Sequence, residues 1–312
     1  MLRQFSYQAI LFFLFFLPVH AQDAGTLADT AHRTKLIILG SGNPNPDPDH
    51  AGPAVAIVVD GQAYLVDAGT GVVRSAARLS PRYGGAFPAL SARKLTRVFL
   101  THLHSDHTIG LPDLMLTPWV MGRDEPLQLF GPDGSAEMVR NLQKAYAEDI
   151  RYRLYGEEPA NTAGWRVQVS EVAEGTVYED SLVRVEAFAV PHGSWPVALA
   201  YRFTTPDRVI VVSGDTRPSP VIAEIARGAD ILVHEVYYAE GLEDRRRSAW
   251  QSYHRAHHTS THELGRIAAE ARPGLVVLYH ILYWGATPAQ LIEEIRSEYD
   301  GPVEVGVDGG VY

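Results

Sequence analysis

The sequence predicts an α/β protein in which two mixed β-sheets are flanked by helices. Short apolar segments with strand-like composition alternate with helical patterns along most of the chain. The composition of the 312 residues, 46% hydrophobic and 21% charged, is that of an ordinary globular protein. Alternating strands and helices favour sheets covered by helical layers. The predicted strands are 36–39, 55–60, 63–66, 97–101, 127–130, 167–169, 183–189, 198–204, 209–212, 231–234, 275–279 and 303–307, and the predicted helices are 71–79, 136–148, 220–226, 261–271 and 288–299.

The predicted helix 261–271 has clear signals at both ends. Ser260 and Glu263 form a Ser-x-x-Glu capping box, which satisfies backbone N–H groups of the first turn. The sequence Arg272-Pro273-Gly274 ends the helix. His258 is therefore expected to lie firmly at a helix N-terminus.

A histidine-rich segment directly follows the apolar run 97–100. Residues 101–107 read Thr-His-Leu-His-Ser-Asp-His, which is the metal-ligand motif HxHxDH. His102 and His104 are two positions apart and project to one side of an extended segment, whereas Asp106 and His107 lie around the bend. The spacing favours two metal sites over the alternative of a polar loop that happens to be rich in histidine.

Further ligands are required, because a zinc ion binds about four. His192 follows the predicted strand 183–189, Asp215 follows 209–212, and His280 follows 275–279. Side chains presented from rigid strand ends can converge on one crevice. The chain contains no cysteine, so every ligand must be imidazole, carboxylate or water, which favours hydrolytic zinc over an electron-transfer site.

The chain resembles the metallo-β-lactamase-fold superfamily and, within it, the ribonuclease Z-like branch, from about Lys35 to Asp308. The resemblance implies an αββα sandwich that binds two Zn²⁺ ions, with Mn²⁺ or Fe²⁺ as alternatives. It implies one metal on His102, His104 and His192, the other on Asp106, His107 and His280, and Asp215 as the bridge. Besides HxHxDH, the segments that carry it are Leu39-Gly40-Ser41-Gly42, Val66-Asp67-Ala68-Gly69, Gly110-Leu111-Pro112, residues 122–127, Gly131-Pro132-Asp133-Gly134, His234-Glu235 and His258-Thr259-Ser260.

The implied chemistry is hydrolysis by a metal-bridging hydroxide. Asp106 is expected to handle a proton of the attacking water. Glu235, which follows the predicted strand 231–234, resembles the family's acidic partner of His258, and an ion pair between them would keep the imidazole protonated to donate to a leaving oxygen. The alternative for Glu235 is a buried salt bridge at a strand end.

Residues 1–21 are predicted to be a signal peptide, with Arg3 as the n-region, an apolar run from Ala9 to Leu17 and small residues before Gln22. An uncleaved anchor is the alternative. A polar lead-in, 22–34, and one catalytic domain, 35–312, would follow. The protein is then expected to be exported, periplasmic or secreted, without membrane contact after cleavage, and its formal charge would move from −10 to −11 because the segment holds Arg3 and no acid.

The substrate predicted from these features is a small anionic ester. Ribonuclease Z proper carries a long arm that grips transfer RNA between the equivalents of His192 and Asp215, and here only residues 193–214 lie between them. The missing arm, the negative charge and the predicted export argue against nucleic acid. The chain is expected to be similar to the secreted arylsulfatases of this fold and to hydrolyse a sulfate or phosphate ester. Lactone or β-lactam hydrolysis and a non-catalytic metal-binding module are the alternatives, and a homodimer is compatible with the sequence.

Several aromatic residues follow the ligand segments closely. Trp195, the pair Tyr237-Tyr238 and the pair Tyr283-Trp284 lie within four residues of a candidate site residue, and they are expected either to form the wall of a pocket for an aryl group or to be ordinary core. The charged segment from Glu243 to Arg255 is predicted to be a long loop, in which a guanidinium could bind a sulfate or phosphate oxygen; a solvated surface loop is the alternative.

Overall fold

The computed structural model describes residues 32–158, 160–243 and 248–312, and the predicted signal peptide therefore lies outside the described residues. The strands form one six-stranded and one seven-stranded sheet. No helix among the described residues has the length and apolar character needed to cross a membrane. The strands are β1 (Thr34–Gly40), β2 (Ala54–Val59), β3 (Gln62–Val66), β4 (Arg97–Phe99), β5 (Leu127–Gly131), β6 (Val167–Glu171), β7 (Gly175–Glu179), β8 (Arg184–Val190), β9 (Ala198–Thr204), β10 (Val209–Val212), β11 (Ile231–Tyr237), β12 (Leu275–Leu282) and β13 (Val303–Val305). The α-helices are α1 (Val72–Arg78), α2 (Ser105–Thr108), α3 (Leu111–Val120), α4 (Ser135–Ala145), α5 (Ala147–Tyr155), α6 (Pro220–Ile225), α7 (Ala239–Glu243), α8 (Ser248–His257), α9 (Thr261–Ala271) and α10 (Pro288–Arg296).

Both sheets are mixed. In the first sheet the order is β1-β2-β3-β4-β5-β6; β1, β2 and β3 pair antiparallel, and the pairs from β3 to β6 are parallel. In the second the order is β13-β12-β11-β10-β9-β8-β7, with antiparallel pairs from β7 to β10 and parallel pairs from β10 to β13. The predicted α/β fold with two mixed sheets is confirmed.

The two sheets pack face to face, and helices cover both outer faces. Tyr64 and Phe99 of the first sheet meet Tyr201 and Phe203 of the second in one buried apolar cluster, with the Phe99 and Phe203 ring centroids 5.5 Å apart. Helices α1, α3 and α4 cover the outer face of the first sheet, and α6, α9 and α10 cover that of the second. These four layers are the αββα sandwich.

Some elements differ from the prediction, each for a local reason. Strand β7 was not predicted because it lies at a sheet edge, where its residues are exposed or half-exposed and show no apolar alternation. Helix α3 was missed because it is largely apolar and contains Pro118. The predicted helix 136–148 is divided at Tyr146 into α4 and α5. The predicted loop from Glu243 to Arg255 was wrong, because α7 and α8 contain its described residues.

Arg123 is the largest charged side chain of the core, and it is 1% exposed. Its guanidinium donates five hydrogen bonds of 2.7–3.3 Å to the backbone carbonyls of Leu95, Leu114, Met115 and Gly164. Burial lowers its pKa to about 10. Because its partners belong to α3 and to two loops, this side chain joins three segments of the outer layer.

Candidate metal centre

The HxHxDH segment begins at His102, three residues after strand β4 ends. His102 and His104 lie in the extended connection, and Asp106 and His107 belong to the short helix α2. His104 is the residue before that helix, with φ −60° and ψ 150°. The change from extended to helical backbone turns Asp106 and His107 away from the direction of the first two histidines.

Two other candidate ligands follow strands of the second sheet. His192 lies two residues after β8, and Asp215 lies three residues after β10. Gly214 has φ 59°, and a Cβ there would stand 2.7 Å from the carbonyl oxygen of Leu199 and 3.0 Å from the Cβ of Thr101. A glycine before Asp215 thus lets the two sheets approach each other at this edge.

The prediction that His280 follows the end of a strand was wrong, because His280 lies within β12. Along the ladder Glu235 pairs with Tyr279 and Val236 pairs with Ile281, so that His280 is an extra residue without a partner. Its φ is 46°, in the left-handed region that side chains other than glycine seldom occupy. Such a β-bulge redirects one side chain out of the regular alternation, and here it brings the imidazole to the other candidate ligands.

The first group of ligand atoms comes from His102, His104, His192 and Asp215, which all lie within 4.8 Å of one another. Nδ1 of His104 is 2.9 Å from Nε2 of His102 and 3.2 Å from Nε2 of His192. Oδ2 of Asp215 is 4.0 Å from Nε2 of His102. Three imidazole nitrogens and one carboxylate oxygen therefore face one point.

The second group comes from Asp106, His107 and His280. Oδ2 of Asp106 is 3.2 Å from Nε2 of His280 and 3.4 Å from Nε2 of His107. Asp215 reaches this group also, with Oδ1 at 3.4 Å from Nε2 of His107 and Oδ2 at 3.4 Å from Nε2 of His280. Because Asp215 contacts members of both groups, one carboxylate joins them.

Hydrogen bonds on the far side of the rings fix their orientation. Asp67 accepts a bond of 2.8 Å from the backbone N–H of Thr101 and lies 2.8 Å from Nδ1 of His107. Nδ1 of His192 donates to the carbonyl oxygen of His257 at 2.8 Å. When one ring nitrogen is held in this way, the other is directed into the site. The role of Asp67 was not predicted from the sequence, although the Val-Asp-Ala-Gly segment was among those that carry the family resemblance. In the structure Asp67 has a φ of 62°, which marks an unusual turn.

Burial and charge set different protonation states in the two groups. Burial lowers the pKa of His192 to about 4 and that of His102 well below its usual value, so these rings are neutral. Burial also acts on His107 and His280, but the carboxylates around them prevail and raise the pKa of His280 to about 8 and that of His107 well above its usual value. A raised pKa means that these two imidazoles bind a proton more readily. Divalent cations at the second group would therefore compete with protons for the same nitrogen lone pairs.

The donor set fits divalent metal ions. Nε2 of His107 and Oδ1 of Asp215 are buried and form no hydrogen bond within the described part of the chain, and a buried polar atom without a partner is costly unless a ligand satisfies it. Five imidazoles and two carboxylates without thiolate match the preferences of zinc and related ions. We conclude that the site binds divalent metal.

Glu235 and His258 form a buried pair beside the second group. Oε2 of Glu235 lies 3.3 Å from Nδ1 of His258, and Oε1 accepts a 2.8 Å bond from the backbone N–H of Thr259. The predicted capping box of Ser260 and Glu263 is confirmed and fixes the start of α9. Burial raises the pKa of Glu235 well above its usual range and lowers that of His258 to about 4. Burial thus favours the uncharged form of each group, and the ion pair stays a prediction.

The aromatic residues divide between the site and the core. The ring of Trp195 lies against His104, with centroids 4.1 Å apart, and Tyr253 stacks on His257 at 4.0 Å. Tyr237 and Tyr238, by contrast, are 3% and 7% exposed and belong to hydrophobic clusters. For the latter pair the alternative of ordinary core packing, which the sequence left open, therefore holds.

Known proteins resemble the chain across nearly its whole length. Ribonuclease Z of Mycobacterium marinum is 34% identical over 281 residues, which are 88% of this chain and 96% of the relative. Ribonuclease Z of Mycobacterium bovis is 32% identical over 284 residues, again 88% and 96% of the two chains. Their shared name is that of an enzyme acting on RNA.

Solved structures confirm the fold. The metallo-beta-lactamase fold protein YhfI from Bacillus subtilis superimposes with a TM-score of 0.68 at 21% identity, covering 89% of this chain and 98% of the other. Human tRNase Z, short form, gives a TM-score of 0.65 at 19% identity, with the same coverage of 89% and 98%. At these identities the likeness establishes the architecture alone.

The relatives correct the predicted function. The prediction of a secreted arylsulfatase or phosphodiesterase that acts on a small ester was wrong, because the relatives are named ribonuclease Z. The exclusion of nucleic acid as a partner was wrong for the same reason: net charge averages over the whole surface, whereas RNA contacts depend on local charge. None of these names indicates secretion, so the descriptions arylsulfatase-like, signal peptide and periplasmic are unsupported, and export of the chain stays a prediction.

The site and the relatives agree on the class of protein. A family model described as Beta-lactamase superfamily domain matches residues 62–281, the segment that holds every candidate ligand. Hydrolysis assisted by divalent metal accounts for the buried imidazole and carboxylate donors, so the chain is a metal-dependent hydrolase. It belongs to the β-lactamase superfamily and, within it, to the ribonuclease Z family.

Proposed function

We propose that this protein is a ribonuclease that hydrolyses a phosphodiester bond of RNA, with precursor transfer RNA as the first substrate to test. The observation that carries the proposal is the 34% identity, over 88% of this chain, to a protein named ribonuclease Z. We further propose two ions, with zinc as the first candidate, one at each ligand group, because Asp215 lies within 4.0 Å of members of both. Two divalent ions there would lower the pKa of a water molecule and neutralise charge on the reacting phosphate.

The chain's own residues would move the protons. The side chain of Asp106 is 11% exposed whereas that of Asp215 is 2% exposed, so Asp106 is the carboxylate of the second group that solvent reaches more readily. It would accept a proton from the attacking water. Its contact with Nε2 of His280 holds its pKa below the usual value, against the opposing effect of burial, so that the carboxylate is available as the acceptor.

The Glu235–His258 pair would supply the proton for the leaving oxygen. His258 would donate from Nε2 to the RNA oxygen as the P–O bond breaks, and it would take the Glu235 proton at Nδ1, 3.3 Å away. Charge does not accumulate on the imidazole in this sequence, because Glu235 becomes a carboxylate as the ring regains a proton. Burial of both groups favours such a neutral starting state.

The proposal is tested with the zinc-loaded full chain on precursor transfer RNA, unstructured RNA, DNA of the same sequence and an aryl sulfate. RNA is expected to be cleaved most efficiently, with about two zinc ions per chain by elemental analysis. Preference for the aryl sulfate, or no cleavage of either RNA, would overturn the proposal, and about one ion or none in active protein would remove the dinuclear site.

The proton donor is tested with His258→Ala, compared with His262→Ala, which changes a half-exposed histidine of α9 that is not a candidate ligand. We expect about 10²- to 10⁴-fold slower cleavage of RNA by His258→Ala, unchanged metal content, and little loss when the leaving oxygen is replaced by sulfur, which departs without a proton. His262→Ala should behave like the native protein. Equal loss on both substrates would assign His258 a structural role.

A further inference from the structure

A cationic cavity lies between helices α1 and α3 on the outer face of the first sheet. Its volume is about 490 Å³, and Arg74, Arg82 and Arg93 line it together with Tyr83 and Asp113. All three arginines are exposed. None of them forms an ion pair with any residue that the structure describes.

The charge of this region is opposite to that of the whole chain. Between Asp67 and Asp106 the sequence contains six arginine or lysine residues and no aspartate or glutamate, although the formal net charge of the chain is −10. Asp113 is the one carboxylate among the residues lining the cavity, and it accepts a hydrogen bond from Thr117. Three of the six basic residues, Arg74, Arg82 and Arg93, line the cavity, whereas Arg97 lies against Tyr64 and Tyr178. Three cationic side chains around one cavity are the kind of footprint left by a protein that binds a phosphate backbone.

The cavity is connected to the metal centre through the two helices that form it. Helix α1 begins five residues after Asp67, and α3 begins four residues after His107. A second cavity, lined by Thr70, Asp106 and Ile109, lies at the start of both helices. Thr70 precedes α1, and Arg74 lies in the first turn of that helix. One cavity is thus lined by residues that precede α1 and α3, next to the candidate ligands, and the other by residues further along the same two helices.

An aromatic side chain completes the surface. Tyr83 is 62% exposed and ends the short 3₁₀ segment Pro81–Tyr83, where Gly84 with φ 86° turns the chain. The guanidinium of Arg82 lies 5.9 Å from its ring centroid. An exposed ring beside cationic groups is the arrangement on which proteins stack single-stranded bases.

We propose that the α1–α3 cavity is the surface that binds the RNA backbone, with phosphates at Arg74, Arg82 and Arg93 and a base stacked on Tyr83. This inference rests on the proposed ribonuclease function and names the part of the surface that holds the strand. It also explains how a chain without the long RNA-gripping arm between His192 and Asp215 can hold RNA. The strand would run from the metal centre along α1 and α3 into the cavity.

The experiment measures binding and cleavage separately with the full chain. Binding of a labelled single-stranded RNA is followed by fluorescence anisotropy with a chelator present, so that no cleavage occurs. Arg74→Glu, Arg82→Glu and Arg93→Glu are compared with Arg140→Glu, which changes an exposed arginine of α4 and alters net charge equally. We expect about tenfold weaker binding for each of the first three variants and less than about twofold for the control.

Three readouts separate this cavity from a general effect of charge. In Arg→Ala variants of the three cavity arginines, the slope of log affinity against log salt should fall by about 0.7 for each phosphate of single-stranded RNA that no arginine binds any longer. Hydrolysis of bis(4-nitrophenyl) phosphate should be unchanged, because this small ester reaches only the metal centre. Tyr83→Ala should weaken RNA binding by about tenfold and Tyr83→Phe should restore it, while binding of inorganic polyphosphate is unaffected by either.

Equal losses in the cavity variants and in Arg140→Glu would overturn the proposal. So would loss of small-ester hydrolysis together with RNA binding, or binding of pyrophosphate as tight as that of RNA, which would assign the cavity to a small anion. Failure of the native protein to cleave any RNA would instead defeat the proposed function, and the anisotropy comparison would still decide whether the cavity binds RNA.

Discussion

The metal centre and the surroundings of Arg123 are both buried and polar, but they differ in how their hydrogen-bonding groups are satisfied. Arg123 donates five hydrogen bonds to backbone carbonyls. In the metal centre Nε2 of His107 and Oδ1 of Asp215 have no hydrogen bond within the described residues. The difference indicates that the hydrogen bonds around Arg123 are complete without a ligand, whereas buried atoms of the metal centre need a bound ligand to be satisfied. Function and stability should therefore respond differently to substitutions in the two places.

The largest effect is expected from loss of a candidate ligand. His104→Ala should lower kcat/KM for RNA by roughly 10³-fold or more, because each ion needs about four ligands and the loss should exceed the 10- to 100-fold typical of a supporting residue. His104 is half-buried, so the free energy of unfolding of the metal-free protein should change by less than about 1 kcal/mol. Kinetics, elemental analysis and denaturant unfolding check this. Full activity with unchanged metal content would contradict it, and His262→Ala is the control.

The reverse pattern is expected at Arg123. Arg123→Met should lower the free energy of unfolding by about 3 kcal/mol, because several buried carbonyls would lose their donor, at roughly 1–3 kcal/mol each before relaxation and water entry. The folded fraction should keep its metal and its kcat. Urea unfolding measures the change, with Arg140→Met on exposed α4 as the matched control, expected within about 0.5 kcal/mol. A loss below about 1 kcal/mol would break the contrast between the two regions.

Asp67 lies beside the metal centre and combines a property of each region: its carboxylate is hydrogen-bonded, like Arg123, and it also orients a candidate ligand. Asp67→Asn should lower metal affinity and kcat/KM by about 10- to 100-fold, because an amide cannot accept from both Thr101 and His107 as a carboxylate does. Asp180→Asn, which alters a carboxylate bonded to Tyr64 and Tyr178, should leave both quantities within about threefold. Identical effects of the two substitutions would show that any loss of a hydrogen-bonded carboxylate impairs the site.

The smallest effect is expected at Asp207, whose carboxylate is well satisfied but lies near the surface. Burial alone would raise its pKa, but bonds from Thr34, Arg33 and Thr205 lower it to about 2. A folded pKa below the unfolded value of about 3.9 gives stability that is present above about pH 4 and lost as pH falls toward 2. Because solvent still reaches the side chain, which is 22% exposed, screening should keep this stability below about 1 kcal/mol.

Unfolding of wild type and Asp207→Asn at pH 6 and pH 3 checks the prediction for Asp207. The wild type should be the more stable of the two at pH 6, and the difference should narrow at pH 3. A difference that widens on acidification would reverse the sign. A difference in the free energy of unfolding above about 2 kcal/mol at pH 6 would show that the number of hydrogen bonds to this carboxylate determines its contribution more than its burial does.

The sequence could predict what is local. HxHxDH, the strand pair between His192 and Asp215, and the capping box at Ser260 are short patterns whose meaning depends on neighbouring residues. The fold followed from the order of strands and helices. The role of Asp67 could not be predicted in this way, because its partner His107 lies 40 positions away and only the folded chain brings them together.

The distribution of charge over the surface could not be predicted from the net charge of the chain. The negative formal charge contributed, together with the missing arm and the predicted export, to the exclusion of nucleic acid. The segment between Asp67 and Asp106 nevertheless contains six basic residues and no acid. Whether such residues share one surface depends on how α1 and α3 pack. The pKa shifts of Glu235 and His258 could not be predicted from the sequence either, since they arise from burial in the folded chain.

Because His280 is an extra residue in β12, the fold and the metal site can change independently at this position during evolution. On either side of it, Tyr279 points between the sheets and Ile281 points toward the outer helices, so deletion of His280 would leave a regular alternation and the same pairings with Glu235 and Val236. A loss of three nucleotides from the gene would therefore yield a well-folded descendant without this metal ligand. Lineages of this architecture can thus shed catalysis in one step while keeping their core, and a gain of one residue at the same place would restore it.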